Sequence, residues 1–434
     1  MGNIVSIVGR PNVGKSTLFN RLTESRKAIV DETSGVTRDR HYGITEWNGK
    51  KFSVIDTGGY ISNSDDIFEE EIKKQVMIAM EESDIVLFLV DVETGITSPD
   101  EALAKILRKS DKKIFVVVNK VDSHNRQYDA NDFYRLGLGE IYTISSINGS
   151  GTGDLLDKVV EELSDAPPEE ELAIPRFAIV GRPNVGKSSL VNALLDEERN
   201  IVTPISGTTR DTIYSRYNKY NHDFFLVDTA GLRKKGKVRE DLEFYSIMRS
   251  IRAIENSDVC LLLVDAVQGF EAQDMNILNL VHRNRKGVVV LVNKWDLVEK
   301  ETNTTVKIEK LIREKMAPFQ DVPIIFTSAL TKLRLQKVLD VAMKVNINRK
   351  QKISTSKLNK ILLEATKAHH PPSYRGKEIR IKYVTQLPTY APSFALFCNH
   401  PEHVKEPYKR YIENRLRENF DFTGVPIQIF FRKK

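Results

Sequence analysis

The chain repeats itself on the scale of whole domains, and no other feature limits its fold as strongly. The octapeptide GRPNVGKS begins at Gly9 and returns at Gly181, an offset of 172 residues. The same offset relates Thr37 to Thr209 and Asp56 to Asp228. Asn119 and Asn293 are 174 apart, so two residues are inserted between these landmarks. Solenoid repeats run about 20–50 residues; a period this long is a duplicated domain.

Each copy alternates short apolar, β-branched runs with helix-length stretches. The first reads IVSIVG, FSVIDT, IVLFLVD, IFVVVNK and IYTISS; the second reads FAIVG, FFLVDT, VCLLLVD, VVVLVNK and IIFTSA. Continuous apolar runs separated by helices predict strands buried on both faces of a mostly parallel sheet. Ligands of such sheets bind beyond the carboxyl ends of the strands, where every motif described below falls. The expected organisation is a first domain over 1–163, an acidic linker over 164–174, a second domain over 175–348 and a smaller α+β domain over 352–434. The stretch EELSDAPPEEELAI carries six acidic residues, no basic one and a Pro-Pro pair, which suits a solvated, stiff connection.

In both copies a G-x-x-x-x-G-K-S segment follows a strand and opens a helix, the pattern of a phosphate-binding loop. Its members are Gly9, Arg10, Pro11, Asn12, Val13, Gly14, Lys15 and Ser16, then Gly181, Arg182, Pro183, Asn184, Val185, Gly186, Lys187 and Ser188. The glycines let backbone wrap around phosphates, the lysines reach the terminal phosphates, and the serine hydroxyls suit magnesium. The helix N-terminus adds unpaired N–H groups and a favourable dipole.

Two strands end in DTGG and DTAG: Asp56, Thr57, Gly58 and Gly59, and Asp228, Thr229, Ala230 and Gly231. The aspartates are expected to hold magnesium through water and the final glycines to sense a γ-phosphate. Thr37 and Thr209 lie between these landmarks and can close over the metal when a triphosphate is bound, with a helix cap as the alternative role. The expected catalytic set is therefore Lys15, Thr37, Gly59, Lys187, Thr209 and Gly231. Two further strands end in NKVD (Asn119, Lys120, Val121, Asp122) and NKWD (Asn293, Lys294, Trp295, Asp296). A carboxylate accepts from the ring N–H and exocyclic amine of guanine, a donor pair adenine lacks, so Asp122 and Asp296 select GTP and GDP over adenine nucleotides.

The tail carries the positive charge. Residues 351–434 hold sixteen basic and seven acidic residues, net +9, leaving 49 basic and 52 acidic residues, net −3, for the rest. That is the electrostatic footprint of a polyanion-binding module. KEIRIKYVTQL, PSFALFCNH and PIQIFFRKK read as three strands, with helices near 356–369 and 406–419. His369 and His370 precede Pro371 and read as a helix end, not a metal site. Cys260 and Cys398, the only cysteines, lack metal spacing and are too few for a disulfide framework. Cys260, inside VCLLLVD, reads as a reduced core thiol. With neither a signal segment nor an apolar run near membrane-spanning length, the expectation is a cytoplasmic protein without membrane contact.

These motifs resemble the five G elements of translation-factor-related GTPases; Thr327, Ser328 and Ala329 fit the fifth, while Ser145-Ser146 departs from the usual Ser-Ala. The whole chain is similar to the Der (EngA) family of bacterial tandem G-domain GTPases, on the paired GRPNVGKS motifs, the basic segment GLRKKGKVRE and the tail ending FDFTGVPIQIFFRKK. The resemblance implies two P-loop GTPase domains and a KH-like domain. It also implies a monomeric switch that hydrolyses GTP while acting on the large ribosomal subunit and its RNA. The alternative is a GTPase coupled to RNA modification, although the tail shows no nucleophile–base pair or cofactor motif. An ordinary KH domain grips RNA with a GXXG loop; here Gly376 and Gly424 are the tail's only glycines. Ras-like proteins place a water-orienting glutamine where this chain has Tyr60 and Leu232. Families with such replacements use a P-loop asparagine to ligate potassium, which assigns Asn12 and Asn184 to that ion. The alternative is that asparagine simply suits the turn.

Overall fold

The computed structural model describes residues 3–24, 42–57, 68–163, 174–195, 202–203, 214–227, 243–299, 301–319, 321–374, 376 and 378–433. They fall into two compact units. One holds residues 3–24, 42–57, 68–163 and 243–252; the other holds the remainder, so the tail shares a unit with the second copy.

The first unit is built on a six-stranded sheet. Its strands are β1 (Ile4–Val8), β2 (Tyr42–Trp47), β3 (Lys50–Asp56), β4 (Ile85–Asp91), β5 (Lys113–Asn119) and β6 (Ile141–Thr143), ordered β2-β3-β1-β4-β5-β6. All neighbours run parallel except β2, which pairs antiparallel with β3. The second copy repeats this with β7 (Arg176–Gly181), β8 (Val202–Thr203), β9 (Tyr214–Lys219), β10 (His222–Val227), β11 (Val259–Asp265), β12 (Gly287–Asn293) and β13 (Ile324–Phe326). Their order is β13-β12-β11-β7-β10-β9-β8. Central strands β4 and β11 are buried at every position, as their unbroken apolar runs predict. Each Val, Leu or Ile sequestered there contributes about 1.5–3 kcal/mol.

The antiparallel strands β2 and β9 fall outside the five runs read per copy. Both are only partly buried and carry polar residues, so they lack an unbroken apolar signature. Their turns explain them: Asn48 and Gly49, and Tyr220 and Asn221, all take positive φ, as tight two-residue hairpins require.

The tail forms a third sheet, β14 (Ile381–Gln386), β15 (Ser393–Cys398) and β16 (Gln428–Lys433). β14 and β15 pair antiparallel, β15 and β16 parallel. Helices Thr355–Ala368 and Glu406–Asn419 supply Leu358, Leu362, Ile412 and Leu416 to a core shared with Val384, Phe394 and Leu396. His369 caps the first helix, and its carbonyl accepts from the Tyr408 hydroxyl at 2.9 Å. Tail and second copy meet around Gly424. Its carbonyl accepts from Val288 N at 2.8 Å and its N–H donates to Asp321 O at 2.8 Å. With φ +74° and Val345 Cγ2 2.7 Å from where a Cβ would stand, glycine is required there. Asp321 and Asp421 add ion pairs to Arg417 (2.8 Å) and Lys344 (2.9 Å).

Cys260 is a free, fully buried thiol whose pKa burial pushes up to about 11. Among the described residues no helix is long and apolar enough to cross a membrane.

Candidate functional site

Both phosphate loops lie at the carboxyl end of a central strand, β1 or β7, and lead into the helices Lys15–Glu24 and Lys187–Leu195. Asn12 and Asn184 take left-handed backbone, φ 64° and 62°, with exposed side chains. Asparagine tolerates that conformation better than most residues, so the turn alone accounts for it. Val13 and Val185 are buried in the cores, which leaves only their backbone for a ligand.

The lysines arch back over their loops. Lys15 Nζ donates to the carbonyls of Gly9 (2.9 Å) and Arg10 (2.8 Å); Lys187 Nζ donates to those of Gly181 (2.8 Å) and Arg182 (2.6 Å). Burial pulls Lys15 down to about 8, with Asp56 opposing and Arg10 assisting. An incoming phosphate supplies the negative charge that restores full protonation. Ser16 Oγ donates to Asp56 Oδ2 at 2.6 Å, and Asp56 is fully buried. A hydroxyl and a carboxylate converging beside the phosphate loop are hard oxygen donors of the kind magnesium takes. Thr57, expected to touch ligand, donates its hydroxyl to Ile7 O at 2.9 Å.

At the base end, Asn119 and Asn293 brace the loops together. Each side-chain amide donates at 2.8 Å to the phosphate loop, at Val13 O or Val185 O. Each amide oxygen accepts from the fifth element, from Ser146 N or Ala329 N, at 2.9 Å. Ser146 therefore makes the same backbone bond as the usual alanine, and its hydroxyl adds one more to Asn119 at 2.9 Å. Gly14 and Gly186 make room for this brace, since a Cβ on either would fall on the asparagine nitrogen.

Asp122 and Asp296 are exposed at the strand ends, open to a base. Lys120 and Lys294 take φ 67° and 62° and pair with Asp91 and Asp265, each at 2.6 Å. The hydrogen bond that Lys120 donates to Asp91 is the main reason its pKa is raised. Val121 and Trp295 turn into the core, Trp295 with its ring centroid 4.5 Å from that of Phe326.

Arg10 and Arg182, expected at the ligand, point away from it. Arg182 Nε donates to Asp274 at 2.9 Å and Nη2 to Gly269 O at 3.0 Å, with Glu271 paired to Nη1. Arg10 reaches Asp100 at 3.3 Å and the Thr94 hydroxyl. Sequence reasoning missed Asp91, Asp265, Asp100 and Asp274. The signal was present: each pair recurs at the same 174-residue offset as the NKxD motifs. The remaining site residues, Thr37, Gly58, Gly59, Tyr60, Thr209, Asp228, Thr229, Ala230, Gly231 and Leu232, lie outside the described residues, as does the basic segment 233–239.

Two phosphate loops, each braced to an NKxD element on a mostly parallel sheet, define a tandem P-loop GTPase, an enzyme that binds and hydrolyses GTP. A family described as 50S ribosome-binding GTPase matches residues 4–120 and 176–294. A second, described as KH-domain-like of EngA bacterial GTPase enzymes, C-terminal, matches residues 352–432. The chain belongs to the GTPase Der family: it is 59% identical over 434 residues to GTPase Der of Christiangramia forsetii and 60% over 436 to that of Flavobacterium psychrophilum, covering all of both chains in each case. GTPase Der of Bacteroides fragilis is 59% identical over 439 residues, again across both full lengths. Among solved structures, Era in complex with MgGDPNP and a 16S ribosomal RNA fragment matches at 22% identity and a TM-score of 0.31. That match covers 60% of this chain and 93% of Era.

Proposed function

We propose that this chain is a monomeric, cytoplasmic GTP-controlled assembly factor for the large ribosomal subunit, contacting ribosomal RNA through its basic tail. The carrying observation is the union, in one chain, of two guanine-type sites and a tail of net +9 fused to the second of them. The description of the matching family as ribosome-binding supports the same reading. Hydrolysis then serves as a switch. A binding role is favoured over RNA modification because the described residues of the tail form a packed core and surface ion pairs.

In each site the lysine, Lys15 or Lys187, meets the terminal phosphates, and Asp122 or Asp296 reads the base. Ser16 with Asp56, and Ser188 with Asp228, would hold magnesium, which supplies positive charge to the phosphates. Thr37 and Thr209 would join the residues that hold it, and the N–H groups of Gly59 and Gly231 would sense the γ-phosphate. Leu232 cannot orient water through its side chain, and Tyr60 replaces the glutamine amide with a phenol. Beyond suiting the turn, Asn12 and Asn184 would hold a potassium ion, which would supply positive charge between the phosphates.

Sedimentation with purified large subunits tests the function. More chain should co-sediment with a GTP analogue than with GDP, with binding falling steeply as salt rises. Equal binding in both nucleotide states contradicts the switch. Equal turnover in potassium and sodium at matched ionic strength contradicts the potassium assignment.

A further inference from the structure

Asp122, the base-reading aspartate of the first copy, sits in a side-chain network. Asp122 is paired: Arg126 Nη1 donates to its Oδ1 at 2.8 Å and to the Lys120 carbonyl at 3.1 Å. Arg126 Nη2 pairs with Glu93 at 2.7 Å, and Glu93 pairs in turn with Lys120 at 3.2 Å. One guanidinium therefore ties the carboxylate, the backbone of its own motif and the loop after β4 into a single network. The second copy has no such network among the described residues. Val267 stands where Glu93 does. The residue four beyond Asp296, matching Arg126, is Lys300, which lies outside the described residues.

We propose that Arg126 is a positioning residue that presets Asp122 for guanine in the first site. The proposal rests on the reading of Asp122 as the base acceptor. A carboxylate offers about four lone-pair directions. Guanine uses two, one on each oxygen, for its ring N–H and its exocyclic amine. Arg126 takes one more on Oδ1, so the ion pair and the base coexist. Held on one oxygen, the carboxylate no longer has to be ordered when the base arrives, which reduces the entropic penalty of binding. The fixed orientation presents both oxygens at once. A base with only the ring N–H, such as hypoxanthine, gains less from it.

Arg126 and Asp122 are 33% and 52% exposed, so the effect is that of a screened surface pair, up to about fivefold in affinity. The test uses the full chain carrying Asp296→Asn, so that guanosine nucleotides report on the first site alone. Affinities for GDP and IDP are measured with Arg126, with Arg126→Ala and with Arg126→Lys. The expected result is a roughly threefold weaker GDP affinity in Arg126→Ala, a smaller change for IDP, and partial recovery in Arg126→Lys. Raising salt should narrow the gap between Arg126 and Ala. Unchanged GDP affinity, equal losses for GDP and IDP, or tighter GDP binding would each overturn the positioning role while leaving the base reading intact. Two guanosine sites persisting in Asp296→Asn would overturn the base reading itself, and the role of Arg126 with it.

Discussion

The two G domains share an octapeptide and a strand order, yet what stands behind their loops differs at three places. Behind the phosphate loop, Arg182 is buried among Asp274, Glu271, Gln268 and the Gly269 carbonyl. Among the described residues its counterpart Arg10 holds Asp100 and Thr94, and Asp100 keeps one buried oxygen without a partner. At the base end Arg126 joins Glu93 to Asp122 in the first copy, whereas Val267 stands in place of Glu93 in the second. At the opposite end of the sheet, Asp84 simply accepts from Ile4 N at 2.8 Å. The matching Asp258 is packed against Arg176 and Arg349 and lies close to Lys286. Burial opposes its ionisation, but the three cations outweigh it and hold its carboxyl below the usual range. Identical motifs thus fix identical loops, while the residues behind them set how firmly each loop is held.

If the loops are equivalent, the same substitution must damage both. Gly14→Ala and Gly186→Ala each place a Cβ on the asparagine brace at φ near +98°. Each should lower guanine-nucleotide affinity at its own site by on the order of 100-fold, read by titration calorimetry, since strain and clash add. A variant that binds normally would show that its copy does not depend on the brace.

The arginine difference predicts unequal stability losses. Arg182→Ala strands a buried Asp274 and should destabilise the second domain by about 3 kcal/mol. Arg10→Ala removes one longer contact (3.3 Å) from an equally buried Asp100, which keeps two bonds from Thr97, and should cost the first domain less, about 2 kcal/mol. Each domain has one tryptophan, Trp47 or Trp295, so denaturant unfolding followed in Trp47→Phe and Trp295→Phe backgrounds reads the domains separately. Equal losses would contradict the comparison.

A further difference concerns pH. Lys286 Nζ donates to the carbonyls of Glu255 (2.8 Å) and Ser257 (2.7 Å), and burial, with Arg349 adding to it, lowers its pKa to about 8 from 10.5. Because the folded pKa lies below the unfolded one, the charged form penalises the native state fully below pH 8. That penalty is relieved as pH rises from about 8 to 10.5. Lys286→Met should flatten this rise in second-domain stability relative to the unsubstituted chain. An unchanged difference across that window would remove Lys286 from the balance.

Much of this was legible before any coordinates. The strand ends carrying Lys15, Asp56, Asn119 and their partners follow from unbroken apolar runs, because a fully buried strand has few compositions open to it. The tail's three strands and two helices fall within a residue or two of the expected ranges at the helices, since their apolar faces repeat with helical spacing. Strands β2 and β9 escaped because half-burial permits polar residues. The partners of Arg10 and Arg182 escaped for a different reason. Asp100 and Asp274 lie 90 and 92 residues away, and only the folded sheet brings them to the loop. The same holds for Asp91 and Asp265, which read as the polar ends of core strands until their lysine partners are seen.

The central claim is that one chain carries two separate guanine sites, each read by its own aspartate. Titration calorimetry of the full chain with guanosine and xanthosine diphosphates, on Asp122→Asn and Asp296→Asn, tests it directly. Each variant should keep one guanosine site and gain one xanthosine site, with the two variants differing only in which site has changed. Two full-affinity guanosine sites in either variant would contradict the account.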